Sequence, residues 1–568
     1  MVTLGIYNSA FSPFLLAVRR SVSYTGAMFI TKHKIKRITL LFILIVFLVL
    51  IPLLLTSRST KPGLTSKNSQ RRFAAVPISR LRTTKIQNSS TIGWVTEQNR
   101  LKGSTAWKIN GSSAGNKLEG FINTTYTADK QDITFYISTT ALHYRVRAFR
   151  MGYYQGKGAR LIWVSKLLTG SVQRQCKLSG HVNMVSCDNW KPSLHLWLSK
   201  AFVQGDYLFE LVAKGNLKNY IPLTVWDPSS KATYVIKNDV LTWQAWNGFG
   251  GYDFYTGAGN CPTDVYPLCS RARVVSFDRP YAYGDGAGDF LTNEYPLIYL
   301  AEEHGLNITY ITDITLIQHP GLLKYHSALL SLGHDECWSY NERFAVEQAA
   351  KLHGLNVAFF GASAMLRHVR LQASPLGPDR EEVDYRDSYA DPLDNNGHPK
   401  NPMLVTGNTW SSPPSNWPET SFVGENYIGY LQSQSQGQPL VITDSKSFLF
   451  KDILYLHKPV YDGEKIPGII ASDIDTSGTK ADNVTVVASS PISTQYAYVQ
   501  PSNLVNGFAY SDMAYHLEKP SNALIFDSGT NNWIASMTAC AKNTPACPAN
   551  FSQAVTLNLL KKMALRGV

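Results

Sequence analysis

His334, Asp335, Glu336 and Cys337 are consecutive in the segment Leu332-Gly-His-Asp-Glu-Cys-Trp-Ser339. Each of the four can ligate a metal or carry a proton. The segment could therefore serve metal-assisted hydrolysis, general acid–base catalysis or attack by a thiolate. A turn with a purely structural task would carry Gly, Ser or Asn instead. An ordinary role stands beside each residue: a turn cap for Asp335, an ion pair with an arginine for Glu336, an inert buried thiol for Cys337.

The elements that must hold these groups can be read on either side. Ser327-Ala-Leu-Leu-Ser-Leu332 is an apolar run that reads as a buried strand. Ser339-Tyr-Asn-Glu342 reads as a capping box opening a helix that runs to about Gly354. The four groups thus fall at the carboxyl end of a strand, where open α/β sheets bind ligands. Further short apolar strands, at residues 273–277, 307–311 and 356–360, alternate with helical stretches at 296–304 and 340–353. That alternation predicts βαβ units and a mainly parallel sheet in residues 229–568, completed by strands near Val484 and Ala523. Residues 91–228 read differently. Alternating runs such as Ile133-Thr-Phe-Tyr-Ile-Ser and Tyr207-Leu-Phe-Glu-Leu-Val, separated by Gly, Asn and Lys turns, predict a β-sandwich.

The formal charge of +13 resembles a nucleic-acid signal and is not one. Residues 1–87 hold 14 of the 54 Lys and Arg and no Asp or Glu, which leaves 40 basic against 41 acidic residues in the body. Residues 38–55 (ITLLFILIVFLVLIPLLL) are 18 residues without a charge, preceded by Lys32, Lys34, Lys36 and Arg37. They read as an uncleaved single-pass anchor with a cytoplasmic tail at 1–37, or at 28–37 if Met28 is the start. Residues 56–90 read as a flexible stalk and everything beyond them as extracytoplasmic. Cysteine spacing agrees with an oxidising compartment. Cys176 and Cys187, Cys261 and Cys269, and Cys540 and Cys547 fall into three close pairs, and Cys337 is left over.

Three further clusters lie in the α/β half: an aromatic, Gly-rich stretch from Trp243 to Tyr255, a glycine loop from Tyr281 to Asp289, and Trp417-Pro-Glu-Thr-Ser-Phe-Val-Gly424. Pro296 suits a first helical turn, which puts Glu294 and Tyr295 at the mouth of a helix. Together, GAGDFLTNEYPL, LLSLGHDECWS, WPETSFVG and GTNNW, with RMGYYQGKGARL in the β half, resemble the N,N-dimethylformamidase large (beta) subunit family. The resemblance covers about residues 91–540.

It implies a glutamine-amidotransferase-like α/β fold behind a β-sandwich, and hydrolysis of a small amide. It also implies a mononuclear iron held by two tyrosines and a glutamate. Tyr295 matches the first tyrosine and Glu419 the glutamate. Cys337 stands where the family has its second tyrosine. Three readings follow. A thiolate can replace the phenolate and favour zinc or ferrous iron. The metal can be lost, leaving a surface protein that binds a glycan or peptide in its aromatic cleft. Or Cys337 is a nucleophile with His334 as its base. In the first reading, with the metal kept, His334, Asp335 and Glu336 supply the general base or orient the ligands. The family's enzyme also uses a small subunit, which this chain lacks.

Overall fold

Side chains alternating at period two build the first part of the body. The computed structural model describes residues 93–110, 114–258, 270–432, 437–477, 483–538 and 547–567. Its early strands are β1 (Leu118–Ile122), β2 (Asp132–Thr139), β3 (His143–Met151), β4 (Ala159–Val164), β5 (Leu194–Trp197), β6 (Gly205–Ala213) and β7 (Leu217–Val225). One antiparallel sheet has the order β1-β2-β5 and the other β7-β6-β3-β4. Ile133, Phe135 and Ile137 of β2 meet Tyr207, Phe209 and Leu211 of β6 and Ile221, Leu223 and Val225 of β7 in one core. Burying each such side chain contributes roughly 1.5–3 kcal/mol. The second sheet is covered on both faces. Phe149, Leu208 and Tyr220 point out of the sandwich and share a core with Tyr234, Ile236 and Leu297 of the following half.

That half contains β8 (Tyr234–Asn238), α1 (Val240–Ala245), α2 (Tyr295–Glu303), β9 (Ile308–Thr312), α3 (Asp313–Gln318), β10 (Ala328–Ser331), β11 (Cys337–Ser339), α4 (Tyr340–His353), β12 (Asn356–Phe359), β13 (Arg367–Ser374) and β14 (Gly377–Val383). It continues with β15 (Asn426–Leu431), β16 (Asp473–Thr476), β17 (Thr485–Ser493), β18 (Phe508–Glu518), β19 (Ala523–Asp527) and α5 (Pro548–Met563). The main sheet runs β9-β8-β10-β12-β19-β18-β17. Its first five strands are parallel and the last two antiparallel. Successive residues serve opposite faces, as the pleat requires. Ile236, Leu330, Ala358 and Phe526 pack with Leu297 and Ile298 of α2 and Val555 and Leu559 of α5. Val235, Leu329, Val357 and Ile525 pack with Val346, Ala349 and Ala350 of α4.

Two sequence expectations need correcting. The strand expected at 273–277 forms only at Val274–Ser276, and it pairs with β14 in a separate sheet with β13 and β11. The capping box at Ser339 is half made. Ser339 Oγ accepts from Glu342 N at 3.4 Å, but the Glu342 carboxylate turns inward to Lys237.

The tail at 1–37, the apolar run at 38–55 and the stalk at 56–90 lie outside the described residues. Among the described residues no helix is long and apolar enough to cross a membrane. Cys176 and Cys187 form a disulfide and Cys547 is disulfide-bonded. Cys261, Cys269 and Cys540 fall outside the described residues.

Candidate functional site

The chain leaves β8 for β9 on one side and then returns to β10 on the other. A crevice therefore opens at the carboxyl ends of β8 and β10, as strand-order reversals produce. The turn after β10 carries Gly333-His-Asp-Glu-Cys337 into it. Gly333 holds φ +47, and a Cβ there would lie 2.3 Å from the Asn293 carbonyl oxygen, so only glycine lets this turn sit so close. The next residues are clamped by α1. Thr242 Oγ1 accepts from Glu336 N at 3.0 Å and from Cys337 N at 3.1 Å.

From that clamp His334 and Glu336 project together. His334 Nε2 lies 3.3 Å from Glu336 Oε2 and 3.7 Å from Asp473 Oδ2 on β16. Glu336 is held on all sides. Arg367 Nε donates to Oε1 at 3.0 Å, Trp246 Nε1 donates to Oε2 at 3.1 Å, and the Tyr255 hydroxyl donates to the same oxygen. Trp246 and Tyr255 stack with centroids 3.6 Å apart, and the Arg386 guanidinium covers Tyr255. Asp473 accepts from Ser363 Oγ at 3.0 Å, while Ser363 N donates to Asp475 at 2.8–2.9 Å. Ser363 adopts φ +56 to make both bonds, a conformation that costs a non-glycine residue about 1–3 kcal/mol. His334 and Asp473 keep 16% and 17% of their side-chain surface exposed.

Burial alone would lower His334, but Glu336, Asp473 and Asp289 outweigh it and push its pKa up to about 9. Burial raises Asp473 to about 6, with Glu336 adding to the rise and the imidazolium opposing it. Burial would raise Glu336 too, yet His334, Arg367 and Arg386 hold it well below the usual carboxylate range. Between about pH 6 and 9 the site therefore pairs an ionised Asp473 with an imidazolium. A base and an acid separated in this way can move protons in both directions during one reaction.

The other predicted residues go elsewhere. Asp335 turns away from the crevice. With Asp239, Asp313 and Glu342 it surrounds the buried Lys237, whose Nζ is 2.8 Å from Asp335 Oδ2, 3.0 Å from Asp239 Oδ1 and 3.3 Å from Glu342 Oε1. Among the described residues Asp239, Asp313 and Asp335 bring oxygens within 4.8 Å of one another, and Lys237 Nζ pairs with all three.

Tyr295, Cys337 and Glu419 stand in three different settings. The Tyr295 hydroxyl reaches the carbonyls of Gly152 and Gly158, at 3.2 and 2.7 Å. The Cys337 thiol is fully buried and is pushed well above its usual pKa by burial and by neighbouring carboxylates, Glu382 first among them. Glu419 is buried, and burial raises it against the opposing charges of Arg343 and Arg367. No hydrogen bond joins any two of these three side chains, and neither Tyr295 nor Glu419 is shifted by another of the three, so the structure does not gather them as one ligand set. No hydrogen bond joins Cys337 to His334.

Asp473, Arg367, Trp246 and Tyr255 were missed by motif reading. Trp246 and Tyr255 lie in the aromatic cluster already noted. Asp473 had a weaker signal: two aspartates flank Ile474 shortly after the apolar pair Ile469-Ile470.

The profile of the family described as N,N-dimethylformamidase beta subunit-like, C-terminal, matches residues 145–547. This chain belongs to that family. The match begins inside β3, so it takes in most of the sandwich as well as this site. Comparison with curated proteins gives no match. Among solved structures, a Paenibacillus sp. cycloisomaltooligosaccharide glucanotransferase complexed with cycloisomaltoheptaose is similar at 9% identity and a TM-score of 0.14. That likeness spans 50% of this chain and only 37% of the other, and it carries no argument.

Proposed function

We propose that this dimethylformamidase-like chain hydrolyses the C–N bond of a small amide at His334, Glu336 and Asp473. The observation that carries the reading is His334 lying between Glu336, held well below the usual carboxylate range, and a partly exposed Asp473. Asp473 takes a proton from water as its oxygen bonds to the amide carbon and the carbonyl electrons move onto oxygen. The tetrahedral adduct then breaks its C–N bond, and the nitrogen leaves with a proton from His334. Asp473 returns its proton to His334, and acid and amine depart. Glu336 orients the imidazole throughout and favours its charged form before the transfer and after its recovery. The transfers use these side chains and one water.

Placement of the body outside the cell belongs to the same proposal. It is supported by the uncharged run at 38–55, its basic flank and the Cys176–Cys187 disulfide. A glutamine-amidotransferase-like reading of the α/β half is supported by the parallel strands and by the reactive turn after β10.

The test is release of amine from a panel of N-alkyl formamides and acetamides by the full chain. A bell-shaped kcat/KM, rising through about pH 6 and falling through about pH 9, is expected. His334→Ala and Asp473→Asn should each lower the rate by about 100-fold or more. Turnover that either variant leaves intact would sink the proposal, as would a folded chain inert on the whole panel.

A further inference from the structure

Two exposed tyrosines stand beside Asp473. β15 lies between β16 and the short strand Ala497–Val499 in a small sheet and pairs antiparallel with both. Its register puts Tyr430 opposite Asp473 on one side and opposite Tyr498 on the other. Directly opposed residues share a face of a sheet, with Cβ atoms about 4.5–5.5 Å apart. Tyr498, Tyr430 and Asp473 therefore form one row across the sheet.

The face that carries this row borders the crevice. Leu431, Ala497 and Ile474, the next residues along or back on each strand, point the other way and join the apolar core. Asp473 turns its carboxylate to Ser363 and His334. A bulge between Tyr427 and Gly429 brings Tyr427 onto the same face, opposite Asp475. Burial first, then the charges of Asp473 and Glu336, push the Tyr427 hydroxyl above its usual range, so the charges of the site are felt along this face.

Tyr430 is 46% exposed and Tyr498 is 57% exposed. Their rings lie 5.1 Å apart and are tilted by 42°. Among the described residues no third ring and no cation covers either of them. Two neighbouring aromatic rings left in water offer a surface that another flat apolar group would cover. Their distance from the chemistry sets what can reach them. One strand spacing, about 4.7–4.9 Å, separates the Asp473 and Tyr430 positions. An N-methyl group ends short of that, whereas a benzyl group spans it.

We propose that Tyr430 and Tyr498 form an aryl subsite next to Asp473, so that the chain prefers amides carrying an aromatic ring one methylene from the amide group. The proposal deepens the hydrolase reading and rests on it for the position of the scissile bond. Amine release by the full chain tests it, with N-benzylacetamide and N-methyl-2-phenylacetamide against N-methylacetamide. At least one ring-bearing amide should exceed N-methylacetamide in kcat/KM by about tenfold or more, mainly through KM. Joint Tyr430→Ala and Tyr498→Ala should cut that ratio about tenfold. Joint Tyr430→Phe and Tyr498→Phe should keep it, because the ring faces and not the hydroxyls make the subsite. Calorimetric titration of the same amides into Asp473→Asn, with and without the two alanines, reads binding apart from turnover. If no amide is hydrolysed, ring-selective binding that the alanines remove would sink the hydrolase reading and keep the subsite. Absence of any preference for a ring, in both rate and binding, would overturn the subsite. So would a preference that the two alanines leave intact.

Discussion

Replacing Glu336 by Gln removes the carboxylate nearest His334 while keeping its shape. The imidazole would then lose its largest charge partner and fall from about 9 towards its ordinary 6.5, moving the alkaline limb of kcat/KM down with it. The same change alters stability. A histidine raised in the folded state stabilises fully below 6.5, and that contribution disappears as the pH rises through about 9. Glu336 is depressed, so its contribution is present above 4.5 and is lost as the pH falls towards its folded value. Thermal unfolding of wild type against Glu336→Gln should show an advantage that shrinks above about pH 9; a constant advantage would separate the pair from His334 titration. Cys337→Ala discriminates between chemistries at the same scale. The thiol is buried against Glu382, so its loss should leave turnover unchanged, whereas a nucleophile would take the activity with it. His334 and Glu336 were legible because they sit in one motif. Asp335 was misleading, because adjacent side chains on a turn face different ways and its oxygen is claimed by Lys237. Tyr295 matched a family motif yet closes on the backbone of the Gly152–Gly158 hairpin, a contact that no local pattern announces.

At the level of elements, the catalytic turn is held by two anchors, one on α1 and one on β8. Thr242 of α1 caps the N–H groups of Glu336 and Cys337. Thr242→Val keeps the volume and orphans both donors, so urea unfolding should show a loss of about 2 kcal/mol and the rate should fall as Glu336 loosens. Lys237 of β8 is the second anchor, gathering carboxylates from the residue that joins β8 to α1, from α3, from the turn after β10 and from α4. Lys237→Met would leave four acids without their cation and should cost about 3–5 kcal/mol. An unchanged urea midpoint would mean that the acids neutralise one another by protonation. The strands and α4 were readable because apolar runs and caps are local signals. The side sheet of β11, β13 and β14 was not, because pairing between distant short strands leaves no period in the sequence.

Over the whole molecule, the pattern change near residue 228 marks a change of secondary structure, while the core runs through it. Phe149, Leu208 and Tyr220 lie in the same cluster as Ile236 and Leu297. The strands of the second sandwich sheet carry apolar residues on both faces for this reason, a pattern that alternation alone reads as noise. One buried ion pair crosses the seam: Arg150 Nη2 of β3 to Glu302 Oε1 of α2 at 2.7 Å, both fully buried. Tyr310 donates to the same Glu302 oxygen at 2.8 Å, and Tyr153 N donates to its neighbour at 3.2 Å. Gly158 of the same hairpin lets Tyr295 approach, since a Cβ there would lie 2.6 Å from the Tyr295 hydroxyl. The RMGYYQGKGARL and GAGDFLTNEYPL motifs therefore occur together because they touch. Arg150→Met should strand Glu302 in the seam and cost about 3–5 kcal/mol. Because the seam belongs to both halves, the loss should lower a single calorimetric transition of the whole body. If the sandwich melted separately, with the second transition left at its wild-type temperature, the two halves would be independent folding units, and Tyr295 would be free of the structural duty assigned to it.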